Sequence, residues 1–572
     1  MSIRLCFGLL AMAACATAQA INTPDALRRA AAEYYAWRSE NHPVSSSDQG
    51  LHTWDDRVTS YSRTAIDQRR RHVHDVLAGV RSIAATTWPQ HDRIDWLLFR
   101  SQLELDDFNG RVLKFEETNP QLYVDECGNA VFSLIKKDYD TPRRRTWAAT
   151  ARMRQMPAML SDARRNLTRP VRLYAQLAID SARSIDSLLN EGLETLAVGL
   201  NPAELSAFRT ARGGALTAIH EFAEYLSARL SSMPAFTPMG VENYEYLLKH
   251  VYLLPTDSRQ MAMLGETELA RYRGLEALLA DPSMADPDPA RNKRIPKDQA
   301  EFLQAYESRE QEMVEFLKRK NLITIPEYVG RFSIRQLPDA FKPTSPGGFM
   351  NPPGLYDRDS TGFFFIPSYS PASRNFYIRA AIEEPRPILG HEGIPGHFLQ
   401  LSIANHLSDE IFRQQGDGVF TEGWALYTEE MLLRQGLYPP NSAAEGQILR
   451  LSRYRAARVV VDVNLHTGRW TFDQAVKYFM EAGGLDVESA TGEAAGAASS
   501  PTQKMTYMVG KWQIMRLLGK YRDQQGARFS LRSFHDALLQ NGSLPLSVVQ
   551  WLVLNDTGDL ESALARREKG NL

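Results

Sequence analysis

Apolar residues recur at helical spacing through the first half of the chain, and this pattern constrains the fold most strongly. In residues 174–189 they fall at i, i+3, i+4, i+8, i+11, i+14 and i+15, which makes one continuous stripe. Residues 216–230 repeat the pattern after a helix break predicted at Gly213–Gly214. Such segments fill most of residues 22–320, and their apolar faces can be buried only against one another. The sequence therefore predicts a mostly α, multi-helix fold.

The Pro- and Asp-rich segment at 280–298 and the Pro- and Gly-rich segment at 341–354 are predicted to be connections, and the composition of the second forbids a helix. We predict strands at residues 331–337, where apolar and polar residues alternate, and at residues 362–369, which contain an aromatic run. Residues 488–503 are small and polar, which favours a mobile loop. We expect a small β element within a helical protein.

The charge balance argues against a nucleic-acid partner. The chain has 572 residues, a formal net charge of -2 and a pI of about 6.7, so no strong basic field is available. After the N-terminus, no stretch approaches the roughly 20 apolar residues needed to cross a bilayer. We therefore expect no nucleic-acid partner and no integral membrane segment in the mature protein, while the oligomeric state stays open.

The first twenty residues have the pattern of a cleaved secretory signal. Arg4 precedes an apolar run, and the segment ends in Ala18-Gln19-Ala20, a small-residue cleavage pattern. Removal of residues 1–20 would leave Cys127 as the remaining cysteine, buried as a small apolar residue and without an intrachain disulfide partner. The expected location is periplasmic or secreted. Two alternatives stay open: a buried first helix, and a lipoprotein anchored at Cys15.

The segment LGHEGIPGHFLQ (389–400) contains a pair of histidines at unusual spacing. In the common H-E-x-x-H arrangement, the histidines at i and i+4 share one helix face. His397 instead follows His391 by six residues, about 600° of helix rotation, which misses that face. Pro395 and Gly396 lie between them, and a proline there must kink or bulge the helix. If the distortion absorbs about two residues, roughly 200° of rotation, His397 returns to the face of His391.

Such a pair could belong to a metal site with three protein ligands and one open position. Glu422 lies 25 residues beyond His397, which leaves room for a loop and the first turn of another helix. Glu429 follows two turns later and could orient a ligand from outside the coordination shell. Glu392 could accept a proton from attacking water. The alternative is that the histidines are unrelated and Glu422 is simply favoured by a helix dipole.

The amino-acid sequences of several motifs support this interpretation. The segments HEGIPGHFLQ, EGWALYTEE, ARVVVDVNLHTGRWTFDQAVKYFM, YMVGK and FHDALLQNGSLPLSVV resemble successive signatures of the bacterial family called domain of unknown function 885. That family is similar to the all-α gluzincin peptidases, which include angiotensin-converting enzyme, carboxypeptidase Taq and the thimet oligopeptidases. The resemblance is strongest over residues 360–555 and weaker in the N-terminal half.

The resemblance implies a gluzincin-like fold with a small β element beside a deep groove. It also implies that His391, His397 and Glu422 are zinc (Zn2+) ligands and that Glu392 is the general base. Manganese or cobalt could occupy the same ligands. The chain departs from the family pattern at Phe398, where a second histidine is usual.

One helix face and one tyrosine could stabilise an oxyanion formed at a substrate carbonyl. Arg458, Asp462 and His466 recur every four residues and share one helix face. An intrahelical ion pair with a capped histidine would give the same pattern. Tyr507 is the other candidate, because related gluzincins aim a tyrosine hydroxyl at the tetrahedral intermediate, although it could also be a core tyrosine. Arg458 is in addition a candidate for binding a substrate carboxylate, as are Lys511 and Arg453, and the sequence does not select among them.

We expect residues 21–572 to form one α-helical, metallopeptidase-like unit, with a helical half (21–320) and a metal-site half (321–572). Its expected function is that of an exported zinc-dependent hydrolase, a peptidase acting on short or unstructured peptides. The strand at 362–369 could offer an exposed edge to a peptide, or it could be a buried aromatic strand. The alternatives are a metal-dependent esterase or amidase and a non-catalytic peptide-binding protein.

Overall fold

A computed structural model describes most of the chain, namely residues 21–194, 196–279, 296–342 and 347–566. The signal segment predicted over residues 1–20, with Cys15, lies outside the described residues, as does most of the connection predicted at 280–298. Within the described residues, no helix has both the length and the apolar character needed to span a bilayer.

The described residues fold mainly as α-helices, which confirms the predicted fold class. In chain order these helices are α1 (Pro24–Asn41), α2 (Pro43–Asp48), α3 (Arg63–Arg81), α4 (Gln90–Phe108), α5 (Phe115–Thr118), α6 (Gln121–Ile135), α7 (Pro142–Asn166), α8 (Arg172–Ser184), α9 (Pro202–Ser227), α10 (Val241–Tyr246), α11 (Ser258–Leu279), α12 (Gln299–Lys320), α13 (Phe376–Glu383), α14 (Arg386–Glu392), α15 (His397–Ala404), α16 (Glu410–Arg413), α17 (Gly418–Arg434), α18 (Ala443–His466), α19 (Phe472–Glu481), α20 (Val487–Ser499), α21 (Thr506–Gln525), α22 (Leu531–Leu539), α23 (Leu546–Leu554) and α24 (Gly558–Ala565).

Two local predictions about helices are wrong. Helix α9 runs through Gly213–Gly214, where a break was expected; it begins at a capping box between Asn201 and Glu204, and its apolar stripe is buried. Residues 488–503 were expected to be a loop, but most of them form α20, which Asp486 caps. The buried alanines of α20 pack among neighbouring helices, so small residues here make close packing possible.

A three-stranded sheet stands among the helices, with strand order β1 (Phe332–Gln336), β3 (Gly362–Ile366) and β2 (Phe349–Asn351). Strand β1 pairs with β3 in parallel, and β2 pairs with β3 in antiparallel fashion. Both predicted strands are confirmed, whereas β2 was hidden in the Pro- and Gly-rich segment at 341–354.

Strand β3 lies between two apolar cores, which explains why all five of its residues are buried. Phe364 and Ile366 join a large core that also contains residues of both halves of the chain. Phe363 and Phe365, which point to the other face, join a core formed mainly by α6 to α9. The predicted burial of Cys127 is confirmed, and the structure places it in this second core. The division into a signal segment and one unit stays a prediction.

Candidate metal site

The helix that carries His391 is interrupted before His397. Helix α14 ends at Glu392 and α15 begins at His397, with residues 393–396 between them and a cis peptide bond at Ile394–Pro395. The sequence led us to expect about two residues looped out of one helix, whereas the structure has two separate helices. A Cβ on Gly396 would overlap the carbonyl oxygen of His391, so this turn requires glycine.

The interruption brings the two imidazoles together beside a carboxylate. The Nε2 atoms of His391 and His397 lie 3.5 and 3.2 Å from Oε2 of Glu422. One ligand atom from each of the three residues lies within 4.8 Å of the others. The His391 and His397 rings are nearly perpendicular, with centroids 4.7 Å apart.

These three side chains fit a zinc ion. Tetrahedral bonds of about 2.0–2.2 Å place neighbouring ligand atoms roughly 3.3 Å apart, close to the separations seen here. Oε2 of Glu422 is buried and forms no hydrogen bond, although two ring nitrogens face it. A buried carboxylate oxygen without a hydrogen bond is costly, and a cation held by both imidazoles would satisfy it.

Glu429 reaches the other side of the His391 ring. Its Oε1 lies 2.8 Å from Nδ1 of His391, and Arg455 Nη2 lies 3.2 Å from the same oxygen. Burial opposes charge on His391, but its contacts with Glu422 and Glu429 outweigh that effect and raise the pKa to about 9. The pKa of Glu422 is held well below its usual value against the effect of burial, because His397 and His391 lie beside it. The two carboxylates thus stabilise positive charge at His391, a charge that a bound metal ion would supply in place of the proton.

A close helix crossing places Tyr507 beside the candidate ligands. Helices α17 and α21 meet at Gly423 and Gly510, where a Cβ on Gly510 would overlap the carbonyl oxygen of Val419. The Tyr507 ring, one turn before Gly510, stacks on His391 with centroids 6.0 Å apart, and Gln503 donates to the Tyr507 hydroxyl at 3.2 Å. Burial raises the pKa of Tyr507, so its hydroxyl stays a hydrogen-bond donor.

A cavity of about 490 Å³ opens onto this cluster. His391, Glu392 and Tyr507 line one part of its wall, and Phe364 of β3 lines another. Within the described residues, the Glu392 carboxylate has no hydrogen-bond or ion-pair partner, and the residue is partly exposed. The cavity therefore contains a free carboxylate next to the three candidate ligands.

Arg458 also lines the cavity, but it is already paired. Its Nε and Nη2 donate to Glu493 at 2.9 and 2.8 Å. Tyr377 donates to the same carboxylate, and Lys504 Nζ lies 3.4 Å from it. Sequence reasoning missed Glu493, Tyr377 and Lys504. Glu493 lies in the segment that was expected to be a loop, so an alanine-rich helix with an Asp cap was the signal that could have revealed it.

His466 does not reach the candidate site, which corrects the role predicted for it. Its Nε2 lies 2.8 Å from the carbonyl oxygen of Ala497, and its ring stacks on Tyr244. It lines a different cavity, together with Phe236. The predicted helix is present. The Asp462 carboxylate also has structural partners, because it accepts hydrogen bonds from Tyr244 and two backbone amides.

Phe398 and the strands of the sheet show which surfaces lie near the cavity. The Phe398 side chain is fully buried and packs on Phe332 of the sheet, where its ring also crowds Gly362. Strand β3 pairs on both sides and all five of its residues are buried, so of the two alternatives left open for residues 362–369 the buried aromatic strand is confirmed and the exposed edge is wrong. Strand β2 is an edge strand instead, and Gly347 and Gly348 just before it line the cavity.

The comparisons with known proteins agree on the fold and leave the chemistry open. The profile of a bacterial family described as "Bacterial protein of unknown function (DUF885)" matches residues 43–553. No curated protein matches the chain. A putative lipoprotein of unknown function from Shewanella oneidensis is 21% identical, with a TM-score of 0.71 and coverage of 93% of this chain and 100% of that one. A putative lipoprotein from Colwellia psychrerythraea is 18% identical, with a TM-score of 0.74 and coverage of 94% and 99%.

Proposed function

We propose that this chain, which belongs to the bacterial DUF885 family, is an exported zinc-dependent hydrolase that cleaves peptides. One observation carries the proposal: two imidazoles and a carboxylate converge at 3.2–3.5 Å beside a cavity that is lined by one of them, His391, and by the free carboxylate of Glu392. The likeness to gluzincin peptidases is part of this proposal.

His391, His397 and Glu422 would hold the zinc, and Glu429 would fix the ring orientation of His391. A bound zinc ion supplies Lewis acidity, which polarises a carbonyl and acidifies water. Arg455 supports Glu429 from behind, so that this carboxylate keeps its charge although it is fully buried. Burial would raise the pKa of Glu429, but Arg455 and His391 lower it below the usual value.

Glu392 acts as the general base in this proposal. It follows a candidate ligand directly and faces the cavity, and it has no competing partner within the described residues. Its carboxylate accepts a proton from the attacking water and passes it to the leaving amine. The Tyr507 hydroxyl donates a hydrogen bond to the developing oxyanion, a contact that is strongest in the transition state.

The substrate we infer is a short or unstructured peptide. The cavity lies among helices, and the edge strand β2 next to it could pair with an extended backbone. Arg458 uses Nε and Nη2 for Glu493, so Nη1 is the nitrogen that we assign to a substrate carboxylate. Efficient cleavage of a folded protein under native conditions would contradict this size limit.

Hydrolysis of a quenched fluorescent peptide library tests the mechanism. The native chain should turn over, whereas the chelated chain and Glu392→Gln should lose activity by about 10²-fold or more. Glu488→Gln is the matched control, because Glu488 lines the same cavity but is exposed and lies on α20. Equal rates for the native chain and Glu392→Gln, at equal zinc content, would overturn the assignment of the base. Bound zinc without turnover in the native chain would favour a peptide-binding protein.

Export is proposed from the N-terminal pattern of residues 1–20 and from the description of two similar structures as putative lipoproteins. Mass spectrometry of the mature protein from a bacterial host tests the site of processing. A first residue of Ile21 supports cleavage after Ala20, and an acylated Cys15 would show the lipid-anchored alternative. An intact Met1 in the cytoplasmic fraction would contradict export.

A further inference from the structure

A second cluster of ligand-type side chains lies apart from the cavity. His91 and Asp95 are one turn apart on α4, and Asp409 precedes α16. The Nε2 atom of His91 lies 2.9 Å from Oδ2 of Asp409 and 3.8 Å from Oδ1 of Asp95. One ligand atom from each of these residues lies within 4.8 Å of the others.

Each carboxylate in this cluster has one oxygen committed elsewhere and one facing His91. Oδ2 of Asp95 accepts from Arg28 Nε at 3.0 Å, whereas its Oδ1 is buried and forms no hydrogen bond. Asp95 itself is fully buried. Oδ1 of Asp409 caps α16 by accepting from the Phe412 amide at 3.0 Å, which leaves Oδ2 for His91. A buried oxygen thus points into the cluster without a partner, a situation that a cation would relieve.

The charges of the cluster also favour a divalent cation. Asp92, Asp95 and Asp409 are opposed by the guanidinium of Arg28, which contacts both Asp92 and Asp95; the more exposed Asp25 lies at its outer side. With Asp25 included, four carboxylates and one guanidinium leave a formal charge of -3, which one divalent ion would reduce to -1.

We propose that His91, Asp95 and Asp409 form a second zinc site, separate from the site at His391. One imidazole and two carboxylates suit zinc, and His91 is half exposed, so water can complete the coordination. This inference does not depend on the proposed hydrolase activity.

The position of this site suggests a structural role. Residues 405–417 connect α15, which carries His397, to α17, which carries Glu422. An ion bound by Asp409 and α4 would tie this connection to the N-terminal helices. Arg38 of α1 already ties the same segment by donating to Gln414 at 2.7 Å. The second ion would therefore stabilise the spacing between two ligands of the first site.

Zinc content per chain, measured by elemental analysis after dialysis of the purified full-length protein against Zn2+ and then buffer, tests the inference. The native chain should hold one more ion than His91→Ala. Asp409→Asn should also lose this ion while it keeps the helix cap, because asparagine caps helices as well as aspartate does. His74→Ala is the matched control, since exposed His74 faces a single carboxylate, that of Asp107, at 3.5 Å.

The result separates the two sites. His397→Ala should lose the ion at the cavity and keep the ion at His91, so failure of one site leaves the other measurable. Zinc should also raise the melting temperature of His397→Ala but not that of the double variant with His91→Ala. Equal zinc content in the native chain and His91→Ala would overturn the inference and leave His91 and Asp409 as a simple hydrogen-bonded pair.

Discussion

The carboxylate of Glu429 is fully buried between His391 and Arg455, and its negative charge strengthens its contact with the His391 ring. Glu429→Gln keeps the volume and an acceptor for His391 but removes the charge. Because partners of metal ligands are commonly worth a factor of 10–100 in metal affinity, we expect zinc affinity to fall by about that factor. Competition with a fluorescent chelator measures this loss. Unchanged affinity would show that Glu429 has only a packing role; Glu488→Gln is the control.

Tyr507 stacks on His391 and lies under the guanidinium of Arg458, 4.6 Å from its Cζ. Tyr507→Phe removes the hydroxyl alone, so kcat should fall by about 10²-fold while KM and zinc content stay nearly constant. Steady-state kinetics on a single peptide substrate checks this. Tyr521→Phe, on the same helix but with its hydroxyl directed to Ser533, should leave kcat unchanged. A larger change in KM than in kcat for Tyr507→Phe would assign the tyrosine to ground-state binding instead.

For single residues, the local sequence could predict that His391 and His397 come together. Pro395 and Gly396 lie between them, and a proline there interrupts the helix. The spacing of Arg458, Asp462 and His466 correctly predicted a helix face, but it could not show what faces that helix. His466 turned out to lie against Ala497 and Tyr244. Helical spacing in the sequence determines which side chains share one face of a helix. Their role depends on the elements that pack against that face, which the spacing does not show.

At the scale of helices, the crossing of α17 and α21 depends on Gly510. Gly510→Ala would place a Cβ against backbone atoms of α17, so the helices must separate, and we expect a loss of about 1–3 kcal/mol in the free energy of unfolding. The separation should also move Tyr507 away from His391 and lower activity.

Gly446→Ala is the matched control, because a Cβ at that helical position meets no atom within 4 Å. This change should be neutral or stabilise by up to about 1 kcal/mol. Urea unfolding of both variants gives the comparison. Equal stability of the two variants would contradict the close crossing.

Helices with a long apolar stripe were predictable from hydrophobic periodicity, whereas α20 was not; only its alanine content and the Asp486 cap pointed to a helix. Its sequence is rich in alanine, serine and glycine, so it has no strong hydrophobic period, and it is helical because neighbouring helices bury it. Strand β2 was missed for a similar reason. Its three residues follow a Pro- and Gly-rich stretch and become a strand by pairing with β3.

For the whole molecule, His535 links stability to pH. It is buried between helices, with Nδ1 2.7 Å from the Leu322 carbonyl oxygen and Nε2 2.8 Å from the Tyr427 hydroxyl. Burial lowers the pKa of His535 to about 4, despite the opposing effect of the Leu322 contact. Between pH 6.5 and 4 the unfolded chain therefore binds a proton that the folded chain does not, and the free energy of unfolding decreases as pH falls.

His535→Asn removes the titrating ring, so the loss of stability over this pH range should be smaller than in the native chain by about 3 kcal/mol. Urea unfolding at several pH values between 4 and 7 measures the difference. Parallel pH profiles for the two proteins would show that His535 is not held in its neutral form.

Contacts between distant segments could not be read from the sequence. Glu493 binds Arg458 across 35 residues, and Asp409 meets His91 across 318 residues, with no local pattern that joins either pair. Spacing and the family resemblance together suggested His391, His397 and Glu422 as candidate ligands, and the fold shows the partners that surround these side chains.

The central claim is that an interrupted helix brings His391 and His397 together so that they and Glu422 hold one ion. Anomalous diffraction at the zinc edge, from crystals of the native protein grown with Zn2+, tests it most directly. The account predicts a peak about 2.0–2.2 Å from the Nε2 atoms of both histidines and from a carboxylate oxygen of Glu422. Absence of a peak there, with the three side chains directed to separate places, would contradict it.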